Sequence, residues 1–392
     1  MEPVTLMSET DAARLRMLAH HSVAVIRAGQ AASGAYVASP NFLVYRYCWL
    51  RDGAFIADAM SRAGEIASAE AFFGWCAGVL VERRPQVEKL LALRAAGEPI
   101  PTFDFLHTRY TLEGRESDAE WENFQLDGYG AWLWALDEHR KRHGRSIEPF
   151  VAGAALSAAY VAAFWTHPSY DWWEENPEHR HTSTLAAMAA GLRAVAGWPE
   201  IEQRLQASAR DTAGDIELAI RSDAEMRGCC GKWLGSDEVD ASLLAVATPF
   251  AVVAADDPVM VATVDAIEAE LVHAGGVHRY ALDTYYGGGE WLLLAALLGW
   301  HRARSGRTAE ALAELEWVAR HATPEGDLPE QVNDHLLAPE TERMWLERWG
   351  PVATPLLWSH AMYLTLAIEL GVVVAPVGAL VEASIDIPIR AR

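Results

Sequence analysis

Apolar and polar positions recur along most of this chain with the three-to-four-residue spacing of amphipathic helices. The pattern predicts helices at roughly 11–30, 54–64, 68–83, 86–96, 127–142, 149–166, 183–196, 199–221, 241–255, 258–273, 289–305, 307–321 and 354–370. Strand-like alternation is scarce, and no low-complexity linker or shift of composition divides the chain. The expectation is one all-helical domain over residues 1–392, with helices paired as inner and outer members.

Hydrophobic residues make up 51 % of the chain, enough for a large core. The formal net charge of −22 argues against nucleic acid and anionic membranes, both of which need a basic face. It suits an enzyme with a neutral substrate. Cys48, Cys76, Cys229 and Cys230 form no C-x-x-C pair and read as free thiols of a reducing compartment. Met1–Ala13 has no apolar core of a secretory signal. The apolar run Leu356–Val381 is broken by His360, Glu369 and Pro376, so it reads as a core helix and a turn and not a membrane span. The expected location is therefore cytoplasmic.

The loops differ from the Ala- and Leu-rich helices. Tyr45-Arg46-Tyr47-Cys48-Trp49-Leu50-Arg51-Asp52 joins rings that can stack on sugars to charges that can clamp hydroxyls. Asp52 also reads as a helix N-cap, and Arg51 as its salt-bridge partner. In Trp121–Gly130, Gln125 and Asp127 are candidates for the mouth of a site, with a cap as the simpler reading of Asp127. Tyr170–Asn176 sets Glu174 and Glu175 against Trp172 and Trp173. Desolvation by the rings and a like-charged neighbour both raise a carboxyl pKa, as a general acid requires. Glu330 lies in the Gly/Pro loop Gly326–Gln331, outside any helix face. The triple glycine 287–289 lacks the Lys-Ser/Thr of a phosphate loop and reads as a place of close backbone approach. His179 and His181 look like an exposed basic turn. Metalloprotease, zinc, nucleophile-elbow and dinucleotide motifs are missing, and no metal or organic cofactor is implied.

Six strings in order resemble glycoside hydrolase family 15, the glucoamylase, glucodextranase and trehalase-like group. They are Tyr-x-Tyr-x-Trp-x-Arg-Asp at 45–52, Gln-x-Asp-Gly-x-Gly at 125–130, Trp-Glu-Glu at 173–175, Arg-Tyr-x-x-Asp-Thr-Tyr-Tyr at 279–286 with Trp291, Pro-Glu-Gln at 329–331 and Trp-Ser-His-Ala at 358–361. The resemblance implies an (α/α)6 barrel with the site at one end. It implies Glu174 as general acid and Glu330 as general base. Arg51, Asp52 and Arg279 would hold the terminal glucose, and Tyr45, Trp49, Trp173, Glu175, Trp291 and Trp358 would line the subsites.

The implied activity is an inverting, exo-acting α-glucosidase that releases β-glucose from short α-glucosides, leaning to α-1,6 links of the isomaltose type. Its partners would be a small oligosaccharide and the catalytic water, in a monomer or small homo-oligomer. Maltose-type glucoamylase, trehalase, disaccharide phosphorylase and a non-enzymatic sugar binder are the rival readings. Two features depart from the family pattern. The chain reaches Tyr45 without room for the N-terminal β-sandwich of many bacterial members, and 336–349 looks like an added segment that walls the leaving-group side.

Overall fold

The computed structural model describes residues 8–117 and 121–376. The first half runs through α1 (Glu9–Ala28), α2 (Leu50–Arg62), α3 (Ile66–Glu82), α4 (Arg84–Ala96), α5 (Asp127–His143), α6 (Val151–Phe164), α7 (Thr182–Val195) and α8 (Gln203–Arg227). A 3-10 turn at Ala241–Val246 comes next. The second half then adds α9 (Pro258–Leu271), α10 (Leu292–Arg304), α11 (Thr308–Arg320), α12 (Pro339–Trp349) and α13 (Leu357–Glu369).

Contacts between elements close a ring. α2 packs on α5, α5 on α7, α7 on the 3-10 turn, that turn on α10, α10 on α13, and α13 back on α2. Outside them, α1 packs on α13, α3 on α2, α6 on α5, α8 on α7, α9 on the 3-10 turn and α11 on α10. The architecture is the expected (α/α)6 barrel, with a short 3-10 turn as one inner member. The inner helices are buried on nearly every side, as an apolar-all-round helix must be. Small residues let them approach closely: a Cβ on Gly191 would lie 2.3 Å from the carbonyl oxygen of Gly130. α5 and α7 therefore meet backbone to backbone, at a spacing no side chain permits.

Three expectations change. The helix expected at 241–255 shrinks to Ala241–Val246, and irregular backbone succeeds it. Pro249 lacks the N–H a helix needs at that place and disfavours helical backbone at Thr248. α12, with Pro339 in its first turn, forms where the pattern predicts no helix. α2 and α5 begin so early that Asp52 and Asp127 lie in their first turns, with Trp49 and Leu126 at the N-caps.

α13 forms within the apolar run expected over Leu356–Val381, whose last residues, 377–381, lie outside the described residues, as does Met1–Met7. Among the described residues no helix is long and apolar enough to cross a membrane. All four cysteines are free.

Three two-residue strand pairs stitch the loops at the ring's mouth. β1 (Cys48–Trp49) pairs with β2 (Arg109–Tyr110), β3 (Val272–His273) with β4 (Gly276–Val277), and β5 (Glu290–Trp291) with β6 (Gln331–Val332). The register of the last pair sets Trp291 opposite Gln331, bringing two distant strings of the sequence together.

Candidate active site

The loops that begin the inner helices converge on a cavity of about 260 Å³. Its lining includes Tyr45, Trp49, Arg51, Asp52, Trp173, Glu174, Glu175, Arg279, Trp291, Glu330 and Trp358, the residues that the family resemblance assigns to the site. The other two candidates, Gln125 and Asp127, do not line it and bond instead to Glu174 and Arg51. The volume falls just below the roughly 300–1,000 Å³ of common small-ligand pockets, a size for short ligands. Trp49, Trp291 and Leu356 are N-caps of α2, α10 and α13. The positive ends of these helix dipoles thus face the cavity and favour anionic groups there.

Glu174 stands on a turn organised by Asp171. The Asp171 Oδ1 accepts from the backbone N–H of Trp173 (2.9 Å) and Glu175 (2.8 Å). Glu174 itself has φ of 67°, a left-handed conformation that a non-glycine residue adopts at a cost. Below the turn, Lys232 Nζ lies 3.3 Å from Asp240 Oδ2, which also accepts from Trp173 Nε1 at 2.9 Å. Burial pushes the Asp171 carboxyl up to about 7, with the Lys232 charge pulling the other way. The Glu174 Oε1 accepts from Trp49 Nε1 (2.6 Å) and Gln125 Nε2 (3.0 Å). Gln125 Oε1 in turn accepts from Arg51 Nη1 at 2.7 Å, and the same nitrogen reaches Asp127 Oδ2 at 3.0 Å. Burial raises the Glu174 pKa, opposed first by the Arg51 charge.

Glu330 is held by the Trp-Ser-His string of α13. Leu328 N–H donates to His360 Nε2 (3.0 Å), Ser359 Oγ donates to the Pro329 carbonyl (2.9 Å), and Glu330 N–H donates to the Ala353 carbonyl (3.0 Å). Burial lowers His360 to about 3, so the imidazole stays neutral and can accept that bond. The Glu330 side chain is only 2 % exposed. Burial pushes its carboxyl up to about 8, while hydrogen bonding from Tyr45 and the Arg279 charge pull it down. Asp52, pushed up to about 7 by burial against the pull of Arg51, completes the acidic set; the two groups stand 3.4 Å apart, as the salt-bridge reading expects.

Arg279 grips Asp283 through Nε (2.7 Å) and Nη2 (2.5 Å) and reaches Glu175 at 3.4 Å. Its guanidinium carbon lies 5.2–5.3 Å from the ring centres of Trp173, Tyr285 and Trp291. A planar cation among aromatic faces keeps its donors in a fixed plane.

Several lining residues were not singled out from the sequence. Tyr285 lies in the string 279–286, and its hydroxyl is 2.9 Å from that of Tyr45. Trp121 packs edge-on against Trp49 and carries the Arg109 guanidinium 3.6 Å over its ring. Trp345, Arg348 and Trp349 line the cavity from α12, so the added segment does form part of its wall. Trp345 is fixed there by an Nε1 bond to the Thr284 carbonyl at 2.9 Å. The reading of 179–181 as an exposed turn is corrected. His181 is buried and lies 2.8 Å from the Asn176 carbonyl through Nε2, and His179 stacks on Trp233 with 4.1 Å between ring centres. The triple glycine does bring backbone close: a Cβ on Gly288 would lie 2.3 Å from the Asp283 carbonyl oxygen.

An (α/α)6 barrel with buried carboxyls and tryptophans around a sugar-sized cavity is the architecture of a class of glycoside hydrolases. The family model described as Glycosyl hydrolases family 15 matches residues 13–309, and the chain belongs to that family of hydrolases. An isomaltose glucohydrolase from Kribbella flavida is 48 % identical over 94 % of this chain and 96 % of its own length. That alignment extends past the family model, over the region of Glu330 and Trp358. A trehalase from Mycolicibacterium smegmatis is 26 % identical over 61 % of this chain and 37 % of its own length. Among solved structures, a wild-type glycosidase matches with a TM-score of 0.91 at 48 % identity, over 94 % of this chain and all of that one. A glutamate-to-alanine variant with the same TM-score was solved in complex with glucose. A glucoamylase from Saccharomycopsis fibuligera shares the fold, with a TM-score of 0.71 at 14 % identity over 95 % of this chain and 98 % of its own.

Proposed function

We propose that the chain is an inverting, exo-acting α-glucosidase that releases β-glucose from the non-reducing end of short α-glucosides, with isomaltose-type α-1,6 substrates preferred. The observation that carries this reading is that Glu174 and Glu330 line one cavity of about 260 Å³ together with the charged trio Arg51, Asp52 and Arg279. That trio holds the hydroxyls of a terminal glucose, and the small volume limits the length of the leaving group. Glu174 protonates the leaving oxygen, and Glu330 takes a proton from the attacking water. The two carboxyls then stand roughly 6.5–9.5 Å apart across the sugar.

Burial raises both carboxyls, so the pKa directions alone do not divide the roles. The division rests on the resemblance of the strings Trp-Glu-Glu at 173–175 and Pro-Glu-Gln at 329–331 to those of the family. Tyr45, Trp49, Trp173, Glu175, Trp291 and Trp358 shape the subsites around the cleaved bond. The lean to isomaltose rests on the 48 % identical isomaltose glucohydrolase. Four free cysteines support a reducing, cytoplasmic compartment.

Initial rates on isomaltose, maltose and trehalose, with and without phosphate, test the substrate. The expected order puts isomaltose first, independent of phosphate. A preference for trehalose, or a phosphate requirement, overturns the reading.

The pH profile has a sign that can be worked out. A base acts as the carboxylate, so its contribution is present above the Glu330 pKa and lost as pH falls through it. The Tyr45 hydrogen bond favours the carboxylate. Tyr45→Phe removes that bond, leaves burial less opposed and raises the pKa. The kcat/KM profile of the variant is expected to move to higher pH, and a shift to lower pH contradicts the assignment.

Trp345, Arg348 and Trp349 wall the leaving-group side in this reading. Trp349→Ala removes the ring that the Arg348 guanidinium overlies at 4.7 Å and opens the wall. The ratio of kcat/KM on isomaltotriose to that on isomaltose is expected to rise; an unchanged ratio places the restriction elsewhere.

A further inference from the structure

Behind Trp291, outside the cavity, three side chains from distant parts of the sequence converge. The hairpin β3–β4 turns through Ala274 and Gly275, both at positive φ (49° and 97°), as tight two-residue hairpins require. Its register sets His273 opposite Gly276. A Cβ on Gly276 would lie 2.2 Å from the Glu290 carboxyl carbon. The glutamate head therefore fills the place of the missing cross-strand side chain, next to His273. From the loop after β6, His335 Nδ1 comes to 2.9 Å from Glu290 Oε1. The His273 and His335 rings lie 4.0 Å apart, centre to centre. One donor atom from each of the three residues lies within 4.8 Å of the others.

Glu290 is fully buried, and its Oε2 has no hydrogen-bond partner among the described residues. A buried polar group left in that state is costly, and more so when charged. Two imidazole nitrogens and a carboxylate oxygen, with a fourth position left for water, form a common zinc donor set. Calcium and magnesium call for more oxygen ligands than the cluster offers. Zinc ligation at about 2.0–2.1 Å needs donors roughly 3.3 Å apart; the Glu290–His335 pair, at 2.9 Å, has to open slightly, and the His273 donor, within 4.8 Å of both, has to close in.

We propose that His273, Glu290 and His335 hold one divalent cation of the zinc class, with water in its fourth position, outside the cavity. The ligands come from β3, β5 and the loop after β6. The ion would clip together the strand that carries Trp291 and the segment that carries Glu330, which are already joined by the β5–β6 pair. The strong negative net charge of the chain favours a cation at such a site.

The test uses tag-free full chain stripped by a chelator and titrated with zinc chloride by calorimetry, with Tm measured in parallel. The expected result is one zinc per chain and a rise in Tm on binding. His273→Gln and His335→Gln are each expected to weaken zinc binding by at least about tenfold and to remove the rise. His273 is exposed, so its variant tests the site without disturbing the core. A wild-type chain that takes up no zinc overturns the proposal. So does zinc uptake that is equal in the wild type and both variants.

Discussion

Glu330→Gln is expected to lower kcat on isomaltose by about 10²–10⁴-fold, with glucose binding still measurable by calorimetry. The amide keeps the shape and volume of the side chain, and the clamp from Ser359, His360 and Ala353 holds backbone and not the carboxyl. The loop therefore stays in place while the proton acceptor is lost. The defect extends to α-glucosyl fluoride, because water must still be activated when the leaving group is good. Full activity of this variant would falsify the assignment of the base.

Glu174→Gln is expected to lower kcat on isomaltose by a similar factor of about 10²–10⁴, but with a different substrate dependence. Fluoride departs without a proton, so α-glucosyl fluoride hydrolysis is expected to survive in this variant far better than isomaltose hydrolysis. Comparing the two variants on the two substrates separates the acid from the base, which burial alone does not do, since it raises both carboxyls. If the fluoride rescues Glu330→Gln and not Glu174→Gln, the two roles are reversed.

Most of the ring was legible because its signals are local. Inner helices such as α7 are built mostly of small and apolar residues and are buried over most of their circumference, and the loops between helices concentrate rings and charges that helix surfaces do not need. The strings around Trp49, Glu174, Arg279, Glu330 and Trp358 could be read singly. That they line one cavity depends on ring closure, which brings α13 against α2. The features that sequence reasoning missed depend on long-range contacts. The apolar run at 241–255 starts where the pattern expects, at the cap that Asp240 forms on Ser242, and is cut short ahead of Pro249. α12 is mostly polar by pattern, and its place is set by Trp345 reaching Thr284. His181 looks exposed beside Arg180, yet it is buried by its bridge to Trp233. The grouping of His273, Glu290 and His335 has no sequence signature, since a hairpin register and a missing Cβ bring it about.

The role of Tyr285 illustrates the same division. Its motif was visible in the sequence, but its contact with Tyr45 crosses the ring and ties the string at 45–52 to the one at 279–286. Both hydroxyls act on the Glu330 carboxylate through hydrogen bonds that lower its pKa. The aromatic residues of the site thus tune a carboxyl as well as offering faces to a sugar.

Proton NMR of the first glucose released from isomaltose probes the two-carboxylate geometry most directly. Water delivered by Glu330 to the face opposite the leaving group yields the β-anomer before mutarotation. α-Glucose as the initial product would mean a covalent intermediate on one of the carboxyls, and the acid–base pair assigned to Glu174 and Glu330 would have to be abandoned.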